Sequence, residues 1–227
     1  MLALIVVAGA MASDTALVTA SIVRAKVEGE TWLGVHYRIA DGWHIYWENP
    51  GQSGLATSAT LSGVDARGPI FPGPERFMLP GGIVNNGYEH DATLLFRVRD
   101  GNEVHVSTRW LVCREECVPG SAELDASLDE FPKKERRIVT RAMALVPTPV
   151  DASIFPFAAK GITHADVFPS LAFESAGGTA TAGVAMDRVV LTLSPIDALG
   201  AGPIVVRLAG PHELRYVQVF STGGGSE

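Results

Sequence analysis

Between Ala16 and Leu128 the chain is divided into short runs rich in Val, Thr, Ile and aromatic residues, each soon stopped by Gly, Pro, Asn or Asp. Branched and aromatic side chains suit the pleated surface of a strand, and the stopping residues supply its turns. The runs are LVTASIVRAKV, TWLGVHYRIA, HIYW, SATLSG, ATLLFRVR, EVHVSTRWLV and SAELDASL. Seven short strands in about 115 residues predict an antiparallel, immunoglobulin-like β-sandwich over residues 15–130. The interval GPIFPGPERFMLPGGIVNNGYEHD carries so many Pro and Gly residues that it reads as one long loop.

The texture changes at DEFPKKERRIVTRAMALVP, where Asp129 and Pro132 offer a helix start and Ile138, Ala142 and Leu145 recur at helical spacing. Residues 131–149 are therefore expected to form a short helix and a linker. Beyond the proline-punctuated PTPVDASIFPF, the runs RVVLTLS, PIVVRLA and LRYVQVF predict a smaller β domain over residues 150–227. That second half holds no cysteine and no grouping of ionisable residues that the sequence turns into chemistry.

A chain of 227 residues, 47% hydrophobic, can bury a core without help from cross-links. Its net charge of −7 and scattered basic residues exclude nucleic acid as a partner. The opening MLALIVVAGAMASD is an apolar run ending in the small-x-small pattern Ala10-Met11-Ala12, too short to span a bilayer. Residues 1–14 are expected to be the remnant of a signal peptide, with the remaining chain in an oxidising, extracytoplasmic space.

Two cysteines, Cys113 and Cys117, are the only ones in the chain. In EVHVSTRWLV the residues Val104, Val106, Thr108, Trp110 and Val112 share one face, so Cys113 ends that strand on the other. SAELDASL reads as the return strand, which leaves Arg114, Glu115 and Glu116 at the tip and Cys117 at its start. Chain entropy values such a closed loop of about five residues at roughly 2 kcal/mol, against about 4.7 kcal/mol for a loop of 100. The pair is thus a weak staple. Three readings stay open: a passive hairpin disulfide, a Cu(I) clamp completed by His44 or His90, and a redox couple.

Three stretches in this order, DGWHIYWENPGQSGL, FPGPERFMLPGGIVNNGYEHDATLLFRV and WLVCREECVPGSAEL, resemble the amino-terminal periplasmic domain of the DsbD thiol:disulfide interchange proteins, in particular the ScsB-like branch associated with copper tolerance. The resemblance covers about residues 15 to 130, and the helix and second domain are similar to the extension found in that branch. It implies an immunoglobulin-like domain in which Cys113 and Cys117 are the redox couple and Cys117 forms the mixed disulfides. Phe77 is implied as the aromatic cap of the couple and Glu75 as a nearby carboxylate, with His44 and Tyr46 beside the cysteines.

No cofactor beyond the redox-active disulfide, and no metal, is implied. The implied partners are a periplasmic disulfide isomerase or oxidoreductase of thioredoxin fold and the thioredoxin-like and membrane domains of a DsbD-type protein, in cis if the chain is a fragment of one. The expected location is periplasmic, and the activity that of one part of a protein-disulfide reductase.

Overall fold

The computed structural model describes residues 16–221, and the apolar run assigned to residues 1–14 lies outside them. Ten strands come before the first helix: β1 (Val18–Val27), β2 (Glu30–Ile39), β3 (His44–Gly51), β4 (Ser58–Ser62), β5 (Asp65–Ile70), β6 (Glu75–Leu79), β7 (Ile83–Glu89), β8 (Asp91–Asp100), β9 (Glu103–Cys113) and β10 (Cys117–Ser127). They form two antiparallel sheets, β1-β2-β8-β5 and β10-β9-β3-β7-β6, with β4 also paired to β9. Alternation sends Leu33, Val35 and Tyr37 of β2, Ile45 and Trp47 of β3, and Val104 and Val106 of β9 into the shared core. The immunoglobulin-like sandwich expected from the sequence is the fold observed.

The supposed long loop of residues 68–91 is instead mostly strand, holding the end of β5, all of β6 and all of β7. Its glycines make a tight hairpin: Gly81 and Gly82 take φ of +87° and +78°, and the Gly82 N–H donates to the Leu79 carbonyl at 3.1 Å. Pro69 sits in β5, an edge strand, where a missing N–H is tolerated. In β7 the buried positions include Asn85 and Asn86, so no apolar alternation marks it as a strand.

Helix α1 (Lys133–Met143) lies on the outer face of the first sheet, burying Val139 and Ala142 against Val23, Ala25 and Leu95. Glu135 pins it there, accepting from the Arg24 backbone N–H at 2.8 Å and from Arg24 Nε at 3.1 Å.

A second β unit follows: β11 (Thr148–Asp151), β12 (Phe157–Ala158), β13 (His164–Pro169), α2 (Leu171–Ser175), β14 (Thr179–Ala185), β15 (Arg188–Ser194), β16 (Ile204–Gly210) and β17 (Glu213–Phe220). Its sheets run β11-β17-β16-β13 and β12-β15-β14. Its core includes Val167, Phe173 and Leu208, while Phe168 reaches out into the core of the sandwich and meets Trp47 edge-on at 6.2 Å. Asn49 of β3 adds a polar link to the same unit, its amide donating to the Pro169 carbonyl and to Glu174, each at 2.9 Å.

Candidate functional site

Cys113 closes β9 and Cys117 opens β10, and the ladder places them directly opposite each other. They form a disulfide, with Cα atoms 4.1 Å apart. The register makes the meeting of these residues a property of the hairpin, since a tip of three residues sets them opposite each other. Within the tip the Arg114 guanidinium lies 5.0 Å from the centroid of the Trp43 ring, while Glu115 and Glu116 stay exposed. The two sulfur-bearing residues differ sharply in access: Cys113 is 1% exposed and Cys117 is exposed.

On its other side Cys113 is opposite His44, the first residue of β3. His44 is buried, and burial pulls its imidazole below the usual histidine range, with the Glu89 charge pulling the other way. Its ring stacks on Phe77 at 5.0 Å and meets Tyr46 edge-on at 5.2 Å. Tyr46 is covered by the chain reversal after β3, where Gly54 (φ +98°) passes so close that a Cβ would fall 2.3 Å from the Tyr46 ring. The GQSGL sequence therefore needs glycine at 54 on two counts, backbone angle and contact.

A run of hydrogen bonds around Tyr46 ties His44 to the chain reversal after β3. The Ser53 backbone N–H donates to Asn85 at 3.1 Å, which makes that atom the amide oxygen Oδ1. Asn85 Nδ2 then faces the Tyr46 hydroxyl at 3.5 Å and donates to it. The same hydroxyl lies 3.4 Å from His44 Nε2, so Asn85, Tyr46 and His44 form one polar chain.

Of the residues singled out from the sequence, the structure thus gathers Cys113, Cys117, His44, Tyr46 and Phe77. Glu75, on β6, lines a cavity of about 360 Å³ with Tyr216, Tyr88, Arg141 and Leu145, a lining that includes neither cysteine. His90 sits on the β7–β8 turn, 3.7 Å from Asp41. Among the described residues no three His, Cys, Asp or Glu side chains are grouped to hold a metal ion. Ser53 and Asn85 were not foreseen as site residues; the only trace of them is a pair of asparagines in a segment otherwise patterned as a turn.

The arrangement is that of a β-sandwich in which one residue of a hairpin disulfide is exposed and the other is buried opposite a histidine. The chain belongs to the family described as the N-terminal domain of the thiol:disulfide interchange protein DsbD, which matches residues 12–129. Among solved structures it is similar to the N-terminal periplasmic domain of ScsB from Proteus mirabilis, at 18% identity and a TM-score of 0.61, over 93% of this chain and 97% of that one. It is also similar to the N-terminal domain of Neisseria meningitidis DsbD in the reduced form, at 19% identity and a TM-score of 0.38, over 49% of this chain and 85% of that one. The likeness to ScsB establishes a shared fold. No curated protein matches the chain. Among the described residues no helix is long and apolar enough to cross a membrane.

Proposed function

We propose that this chain is a periplasmic thiol–disulfide exchange module, which takes reducing equivalents from a membrane electron-transfer partner and passes them to a disulfide isomerase or related oxidoreductase of thioredoxin fold. The observation that carries this reading is the unequal exposure of the bonded cysteines: one sulfur is open to a partner and its mate is held back beside it.

In the reduced module the Cys117 thiolate attacks one sulfur of the partner's disulfide. A mixed disulfide forms, and the partner's other sulfur leaves as a thiolate that takes up a proton. Cys113, deprotonated, then attacks Cys117 Sγ. The Cys113–Cys117 bond forms, the mixed disulfide breaks, and the partner's second sulfur departs as a thiolate and is protonated. Two electrons and two protons have moved to the partner. The reverse sequence, with a dithiol protein as donor, recharges the module. His44 supports the resolving step: it stands directly opposite Cys113 in the ladder, and as a neutral ring it offers the thiolate a polar neighbour without placing a second charge in a buried site.

Trapping with a thioredoxin-fold disulfide protein tests the assignment. Cys113→Ser accumulates the mixed disulfide because nothing resolves it, and Cys117→Ser forms none. Equal trapping by both variants removes the division of roles. A reduction potential well below about −300 mV, the range of resistant structural bonds, would count against exchange altogether.

A further inference from the structure

Successive side chains leave a strand on opposite faces, so Phe77 and its neighbour Arg76 point away from each other across β6. Phe77 goes to His44. Arg76 goes to the second β unit, where Nη1 is 3.8 Å from the Asp166 carboxylate, Nη2 donates to the Val167 carbonyl, and Cζ lies 4.9 Å from the Phe168 ring centroid. Only a planar fork makes these three contacts at once. The acceptor is itself fixed, since Asp166 also meets His164 at 3.1 Å and Arg207 at 3.4 Å. Immediately before β6 the Tyr216 hydroxyl donates to the Pro74 carbonyl at 3.2 Å.

These contacts act on a strand that needs them. β6 is an edge strand, bonded only to β7, so half of its ladder is missing and local opening is cheap. The second β unit supplies the holding contacts that a neighbouring strand would otherwise give.

We infer that the second β unit clamps the Phe77 strand and so governs how readily the buried Cys113 side of the disulfide is uncovered, with Arg76 as the positioning residue. The inference rests on Phe77 being the cap of the cysteine pair.

The test uses the full chain carrying Cys117→Ser, in which Cys113 is the sole thiol, and measures the thiolate-specific rate of iodoacetamide alkylation from its pH profile. Phe77→Ala raises that rate. Arg76→Ala raises it by about tenfold through local opening, Arg76→Lys and Tyr216→Phe by less, and Arg76→Ala adds nothing once Phe77→Ala is present. Hydrogen exchange in Arg76→Ala speeds up in β6 and β7 while β2 and β8 keep their protection. If Phe77→Ala leaves the rate unchanged, the cap reading fails and the clamp with it. If Phe77→Ala accelerates alkylation but the Arg76 and Tyr216 variants do not, the clamp alone is overturned. Acceleration that persists without Phe77, or that comes with lost protection in β2 and β8, also overturns it. Should Arg76→Ala not fold, Arg76→Lys and Tyr216→Phe are judged by the same criteria.

Discussion

The imidazole of His44 stacks on the ring of Phe77, 27° from parallel, although β3 and β6 are not neighbours in the sheet. β7 runs between them, and the residue it presents at the row shared by Tyr46 and Glu75 is Gly87. Gly87 offers no side chain to that face, and a Cβ there would lie 2.0 Å from the Ile45 carbonyl oxygen. The close approach of β7 to β3 and the meeting of the two rings thus share one cause. It makes Phe77 a neighbour of the histidine, and through it of Cys113.

Replacing His44 with Phe keeps an aromatic surface for Phe77 and removes the polar ring nitrogens opposite Cys113. With Cys117→Ser in the background, His44→Phe is expected to raise the pH midpoint of Cys113 alkylation by about one unit, or ~1.4 kcal/mol of lost thiolate stabilisation. An unmoved midpoint takes His44 out of the chemistry.

Burial lowers the pKa of His44, and it does the same to His36, whose Nδ1 sits 2.9 Å from the Thr93 hydroxyl. A histidine whose folded pKa is depressed binds its proton first in the unfolded chain, near pH 6.5, so stability rises with pH through this region. The contribution is complete above about pH 7 and is lost as pH falls through about 6.5 toward the folded values. Melting temperatures measured between about pH 7.5 and 5.5 are expected to fall, and to fall less steeply in His44→Gln. Parallel slopes for the two proteins would show that His44 does not titrate with unfolding.

Reduction should leave the fold standing. The bond closes a loop worth roughly 2 kcal/mol, which in a chain of this size amounts to a melting shift of about 4–8 °C. Calorimetry with and without a dithiol reductant reads this directly. A loss of more than about 15 °C would mark the bond as a staple after all.

Glu135 holds α1 to the sandwich through one carboxylate shared by the Arg24 side chain and the Arg24 backbone N–H. Glu135→Ala strands a half-buried donor and is expected to cost about 1–3 kcal/mol in urea unfolding. Glu135→Gln, which keeps an acceptor, costs less. Equal stability of wild type and Glu135→Ala would mean that α1 is held by Val139 and Ala142 alone.

Much of the sandwich was legible because its inward residues alternate plainly, as Val104 and Val106 do along β9. β6 and β7 were not, because their punctuation belongs to a hairpin turn at Gly81 and Gly82, and because Asn85 and Asn86 occupy buried positions that the eye expects to be apolar. The cysteine row was readable from a five-residue spacing. Glu75 shares a cavity lining with Tyr216 of the second β unit, a neighbour that strand alternation does not announce. The grip of Arg76 on Asp166 joins residues 90 apart, a distance at which neither charge announces its partner.

The direct pairing of Cys113 with Cys117 across β9 and β10 has a consequence for cycling. The β9–β10 ladder, and not the disulfide alone, sets the two residues face to face. In the exchange cycle proposed above, parting and rejoining would therefore ask for side-chain rotation at this row and no new strand register. A partner docking in that cycle would meet the same hairpin backbone in both states and would tell them apart at the sulfurs.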